Sequence, residues 1–327
     1  MKLNITLLSS IFYLSAFNGE LQQEAKFNAT SVSASSDPYL NNLISNLNQV
    51  VKDFKDIPVK QSRASTVTRL TVSNEATAKK FARLAGAAYC SDSTLSSWKC
   101  NHCSVYGGLK VVKVFDNSKH ETRGFVGLDT VNRIVVISFR GTSNIKNWVQ
   151  NVKIAKTDLF SGNSKIQVHL GFKQARDALS PVYTPVVSEL LKSNPGFKLV
   201  VVGHSLGGAI GNLAAIDLQA SQKLSWGNIQ LFTYGQPRVG NADFANWFDS
   251  LNLLSTRVTN DQDIVPHVPP RSMSFNHYFV EMWLHKNSAK ICSTSQIEDA
   301  SCSLSAEPFL NVSDHLTYWD VRLGGSC

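Results

Sequence analysis

After its first nineteen residues the 327-residue chain has no apolar run of about 18, the length a helix needs to cross a bilayer, so a transmembrane anchor is not expected. Charge is also sparse. Asp, Glu, Lys and Arg make up 17% of the residues against 43% hydrophobic ones, a balance that excludes a disordered chain and provides for a large packed core. The formal net charge is +8, yet the basic residues are scattered, as at Lys110, Lys113, Lys119 and Arg123. They lack the clustering with aromatics that nucleic-acid binding requires, so the expectation is a solvated basic surface and no nucleic-acid partner. Cysteine is limited to six residues, and Cys100 and Cys103, with His102 between them, have no second ligand pair at zinc-site spacing. No metal is expected.

What is present begins with a leader. Lys2 precedes an apolar stretch from Ile5 to Phe17 that then turns polar, the pattern of a secretory signal peptide over residues 1–19, so the product is expected to be secreted and extracellular. In that oxidising route Cys90, Cys100, Cys103, Cys292, Cys302 and Cys327 read as three disulfides, with fifteen pairings open. Residues 20–61 contain none of them. They carry a sequon at Asn28 and then an apolar stripe, Leu40, Leu43, Ile44, Leu47, Val51 and Phe54, behind Asp37 and Pro38 as N-cap and first helical residue. Such a helix needs an apolar surface to cover. The segment reads as a pro-region processed near Lys60–Arg63, ahead of a single domain over 62–327; the alternative is an ordinary first helix.

From about residue 73 a helical stretch leads to Cys90, and strand-like and helical segments alternate after it. Val111–Phe115, Ile134–Ser138, Lys198–Gly203, Ile229–Tyr234 and Arg257–Asn260 are β-branched or aromatic runs bounded by turn residues. Between them Leu170–Ser193, Leu206–Ala220 and Asn241–Leu253 have helical spacing. The alternation predicts an α/β fold with a largely parallel mixed sheet and helices on both faces.

The strongest local signal is Gly203-His204-Ser205-Leu206-Gly207, between the strand Leu199–Val202 and a helix. A sharp strand-to-helix turn lifts a serine hydroxyl above the sheet, and only glycine lets neighbouring backbone pass that close. Ser205 is therefore the candidate nucleophile, with the backbone N–H of Leu206 as one oxyanion donor. A serine needs a histidine to take its proton and an acid to orient that histidine. Asp261 and Asp263 lie at a strand end, and His267, His277, His285 and His315 follow; spacing does not choose among them.

At these residues the sequence resembles the secreted filamentous-fungal triacylglycerol lipases of the class 3 group, over roughly residues 62–327. The motifs are Phe139-Arg140-Gly141-Thr142, Gly203-His204-Ser205-Leu206-Gly207-Gly208, Thr233-Tyr234-Gly235-Gln236-Pro237-Arg238-Val239-Gly240-Asn241, Asp263-Ile264-Val265-Pro266, and His315 followed by Leu316 and Tyr318-Trp319. The resemblance implies an α/β-hydrolase-type fold, Asp263 as the orienting acid, His315 as the base and Thr142 as the second oxyanion donor. It also implies the pairs Cys90–Cys327, Cys100–Cys103 and Cys292–Cys302. Ile145, Trp148, Val149 and Val152 recur at i, i+3, i+4 and i+7 where the family places a mobile helical lid. For acyl binding it points to Val265, Val268, Pro269, Met273 and Leu316. The expected enzyme is a monomeric hydrolase of triacylglycerols at an oil–water interface, without metal or cofactor. Phospholipase A1 or feruloyl-type esterase activity, or a catalytically inert binding module, are the alternatives.

Overall fold

The computed structural model describes residues 75–327 apart from 153, 223, 252, 294–297 and 326. The expected signal peptide (1–19), the pro-region (20–61) and the domain start at 62 lie outside the described residues. In chain order the helices are α1 (Glu75–Ala87), α2 (Asp92–Ser97), α3 (Ile145–Asn151), α4 (Leu170–Ser193), α5 (Leu206–Gln222) and α6 (Ala242–Asp249). The strands are β1 (Leu109–Asn117), β2 (Thr122–Asp129), β3 (Ile134–Arg140), β4 (Lys156–Asp158), β5 (Gln167–His169), β6 (Lys198–His204), β7 (Ile229–Tyr234), β8 (Leu254–Asn260), β9 (Glu281–His285), β10 (Ser288–Ile291), β11 (Thr317–Tyr318) and β12 (Val321–Arg322).

Eight strands form one sheet in the order β1-β2-β3-β6-β7-β8-β9-β10. Its middle, from β3 through β9, is parallel, and antiparallel pairs close both sides. The near-continuous apolar runs of β3 and β6 are what a strand covered on both faces requires. Side chains alternate between the faces. In β6, Leu199 and Val201 join α4 and α5 in one core, whereas Val200 and Val202 join α1 in the other. Parallel strands under such helices put the C-terminal ends of β3, β6 and β8 at one edge of the sheet, where active-site loops of this architecture gather.

The strands expected at Val111, Ile134, Lys198, Ile229 and Arg257 are all present. Two others are hidden from pattern reading. In β2 the run is broken by Gly124 and Gly127, and β9 opens with Glu281, a buried carboxylate that accepts from Thr259 Oγ1 at 2.7 Å. The helix expected over 241–253 stops at Asp249, where the ladder tightens as the Leu251 N–H bonds three residues back to Phe248 O at 3.1 Å before the chain turns into β8.

Three disulfides join Cys90 to Cys327, Cys100 to Cys103, and Cys292 to Cys302. The Cys100-x-x-Cys103 pair is thus used internally. The first bridge links residues 237 apart, for which the chain-entropy model gives about 5 kcal/mol. Among the described residues no helix is long and apolar enough to cross a membrane.

Candidate active site

Ser205 is the single residue between β6 and α5, and its φ of 59° lies in the left-handed region that a non-glycine residue avoids. The turn is held by Ser205 N–H to Tyr234 O and Gly208 N–H to Ser205 O, both 2.9 Å. It is also packed too tightly for side chains. A Cβ on Gly207 would lie 2.2 Å from Phe139 O. The first N–H groups of α5 have no intrahelical partner, so the Leu206 N–H beside Ser205 is a free donor at a helix N-terminus.

The second wall comes from the end of β3. There Gly141 passes against Ser205, where a Cβ would lie 2.6 Å from Ser205 Cβ, and places the buried Thr142 next in the chain. Thr142 Oγ1 accepts the Asn144 N–H at 3.3 Å, which leaves its own hydroxyl hydrogen free to donate. Thr142 and Leu206 line the same cleft of about 330 Å³.

Asp263 and His315 come from loops 52 residues apart and meet in the interior. The His315 Nδ1–H donates to Asp263 Oδ2 at 2.8 Å, the Tyr318 hydroxyl donates to the same oxygen at 2.7 Å, and Val265 N–H donates to Oδ1 at 2.8 Å. Three donors fix the carboxylate. The Asn260 amide, donating to Asp314 O at 2.9 Å and Thr317 O at 2.8 Å, fixes the turn that carries His315. Burial, and then the neighbouring Asp263, push the Tyr318 phenol well above its ordinary pKa, so it stays a donor. Ser205 Oγ and His315 Nε2 are both buried and neither has a hydrogen-bond partner. In a serine–histidine pair these would be the two atoms that exchange a proton.

The other candidates are occupied elsewhere. Asp261 lies near the His285 ring at 3.2 Å and accepts the Lys286 N–H at 2.9 Å, at the surface. His267 pairs with Glu307 at 2.7 Å, and His277 donates to Pro266 O at 2.8 Å. Asn311, which with Val312 and Ser313 forms a sequon, is committed too, since its amide donates to Asp314 at 2.9 Å and its oxygen accepts from Ser313 and Asp314.

Helix α3 has Asn144 as its N-cap, whose side-chain oxygen accepts the Asn147 N–H at 3.1 Å. Ile145, Trp148, Val149 and Val152 are half-buried while Lys146, Asn147, Gln150 and Asn151 are exposed, as the spacing predicts. Trp148 stacks on Phe172 of α4 with centroids 6.2 Å apart, and Trp148, Val152, Phe172 and Ala175 supply apolar wall to the cleft.

The cleft beside Thr142 and Leu206 is lined by other residues than the expected acyl-binding set Val265, Val268, Pro269, Met273 and Leu316. Val265 is fully buried, and Met273 is 39% exposed. The loop around them is drawn inward by Arg238, which donates to His267 O at 2.6 Å and Pro269 O at 3.1 Å and pairs with buried Glu298 at 2.7 Å. Phe172 and Ala175 line the cleft instead, and no local pattern marks them, because they belong to the ordinary apolar face of a long helix. Tyr318 is visible in the sequence only as half of an aromatic pair.

The model of the family Lipase (class 3) matches residues 136–273. The lipase of Rhizomucor miehei is 36% identical over 233 residues, covering 70% of this chain and 64% of that protein. A secreted mono- and diacylglycerol lipase 1 of Fusarium solani is 34% identical over 239 residues, 70% of this chain and 68% of that protein. A structure of Rhizomucor miehei lipase in complex with a propeptide superposes with a TM-score of 0.72 at 29% identity, over 83% of this chain and 91% of that one. The chain thus spans somewhat less than two thirds of the length of the first of these relatives.

Proposed function

The chain belongs to the class 3 lipase family, and on that premise we propose that it is a secreted serine hydrolase cleaving triacylglycerol esters at an oil–water interface. One observation carries the reading. The unpartnered Ser205 Oγ and His315 Nε2 lie buried beside two free oxyanion donors, at a cleft walled by an amphipathic helix. Ser205 attacks the ester carbonyl as His315 takes its proton, and Asp263 holds the imidazole in the tautomer that can accept it. Thr142 and the Leu206 N–H stabilise the oxyanion. The protonated His315 then delivers its proton to the leaving alcohol, and water activated by the same histidine releases the fatty acid from Ser205.

The lid accounts for the interface. Opening α3 in water exposes the half-buried faces of Ile145, Trp148, Val149 and Val152, at about 2.5 kcal/mol for each 100 Å² of apolar surface. Against lipid the same side chains transfer into an apolar medium, so the open population rises. Wild-type rate should climb sharply once substrate exceeds its solubility. Trp148→Ala removes the Phe172 stack and the largest anchor, and should blunt that climb several-fold more than it slows hydrolysis of a soluble short-chain ester. Smooth saturation through the solubility limit, with equal losses on both substrates, would remove the lid from the account.

Initial rates on emulsified long-chain triglyceride, monoglyceride, phosphatidylcholine and a feruloyl ester test the substrate class. The partial glycerides are included because the Fusarium relative is named for them. Triglyceride should be fastest; a faster rate on any other sinks the triacylglycerol assignment.

Residues 20–61 form a pro-region in this reading, because their apolar stripe calls for an apolar surface to cover, and a propeptide accompanies the Rhizomucor lipase. The unprocessed chain should hydrolyse emulsions more slowly than the chain cleaved near Lys60–Arg63. Equal rates would make the segment an ordinary structural element.

A further inference from the structure

The residue before the nucleophile is a buried histidine that the reaction does not use. His204 Nε2 lies 2.9 Å from the backbone carbonyl of His315, and its Nδ1 lies 2.6 Å from the Tyr89 hydroxyl. The same hydroxyl accepts the Gly141 N–H at 3.0 Å. The direction of this chain is settled by its ends. A carbonyl can only accept, so Nε2 carries the hydrogen and Nδ1 of the neutral ring is the acceptor. Tyr89 therefore donates to Nδ1, and its oxygen is left to receive Gly141 N–H. The imidazole also stacks on the His315 ring, with centroids 4.4 Å apart and planes 29° apart.

Each contact ends one step from a catalytic group. Gly141 precedes Thr142, His204 precedes Ser205 and Leu206, and the accepting carbonyl belongs to His315. We propose that Tyr89 and His204 are positioning residues, a hydrogen-bonded brace that sets the two oxyanion donors and the base relative to one another. This rests on the serine-hydrolase reading of the site. Neither residue touches substrate; both act through the segments they join.

Two features keep the brace in one state. Burial, followed by the adjacent His315, holds the His204 pKa well below its ordinary value, so the ring stays neutral. Burial raises the Tyr89 phenol, so it stays protonated. Tyr89 is in turn anchored by its neighbour Cys90, which is bridged to the distant Cys327. The three joined segments come from the ends of β3 and β6 and from the turn before β11.

A displacement of about 1 Å between reacting groups costs on the order of 10²-fold in rate. Tyr89→Phe should therefore lower kcat on a soluble short-chain ester about 10²-fold with KM within twofold, and should slow phosphonylation of Ser205 by an organophosphonate to the same degree. His204→Leu should do likewise. The double variant should lose no more than either single one, because both cut the same brace. His204→Gln, which offers an acceptor and a donor, should recover much of the loss, and remains informative if His204→Leu does not fold. Thermal unfolding establishes that each variant compared is folded. Wild-type kcat in folded Tyr89→Phe, or losses that multiply in the double variant, would overturn the brace. Failure of the wild type itself to be phosphonylated at Ser205 would instead overturn the serine-hydrolase reading.

Discussion

Ser205→Ala should lower kcat about 10⁶-fold and leave the fold intact. The two halves of that statement have separate grounds. Removing the nucleophile ends the acyl-enzyme route, and what remains comes from the oxyanion donors and substrate binding, roughly 10³–10⁴ over water. The fold is indifferent because Ser205 Oγ, although buried, makes no hydrogen bond that alanine would forfeit. The left-handed φ of 59° strains alanine and serine alike, and the turn is held by backbone bonds to Tyr234 O and from Gly208 N–H. Steady-state rates, mass spectrometry after organophosphonate treatment and thermal melts check the three parts. A variant keeping more than about 1% of activity, or still labelled at the active site, would place the nucleophile elsewhere.

Why serine at this position can be read so early, and other residues cannot, follows from how local their signals are. Ser205 announces itself because the turn needs small residues at fixed offsets within five positions. The parallel core is legible for a similar reason, since β3 and β6 must be apolar on both faces and so appear as unbroken runs. The amphipathic stripe of α3 is legible too, and its half-buried face matches the spacing. Asp263 and His315 are different. Their sequence neighbourhoods contain Asp261, His267, His277 and His285, and only the spatial contact across 52 residues distinguishes them. Motif resemblance, not spacing, narrows the choice.

The lining of the cleft beside Thr142 is hidden from sequence on the same ground. Apolar residues next to catalytic ones in sequence are natural candidates to face the cleft, but the loop after Asp263 is tied inward to Arg238, a buried cation whose partner Glu298 lies 60 residues away. No local pattern encodes that pairing. Phe172 and Tyr89 escape notice because each looks like an ordinary core aromatic. Their distinction is what they touch: Trp148 in one case, and Gly141 and His204 in the other.

Asp263→Asn should lower kcat about 10⁴-fold while Asp261→Asn stays near wild type. The three donors around Asp263 decide how an amide can sit. Val265 N–H faces Oδ1 at 2.8 Å, so the amide oxygen must take that position; the reverse placement would set NH₂ against N–H in a buried site, costing about 1–3 kcal/mol. The NH₂ group then faces His315 Nδ1 and the Tyr318 hydroxyl. Tyr318 adapts, because a phenol oxygen can also accept. His315 can meet the NH₂ only as an acceptor at Nδ1, which moves its hydrogen to Nε2, the atom that must receive the serine proton. The base is present, well placed and in the wrong tautomer. Asp261, one third exposed and engaged with His285 and Lys286 at the surface, has no such hold on the reaction. Loss of activity in Asp261→Asn with retention in Asp263→Asn would reverse the assignment. Equal, small effects of both would mean that the orienting acid contributes little to this enzyme, and that the contact between His315 and Asp263 is structural alone.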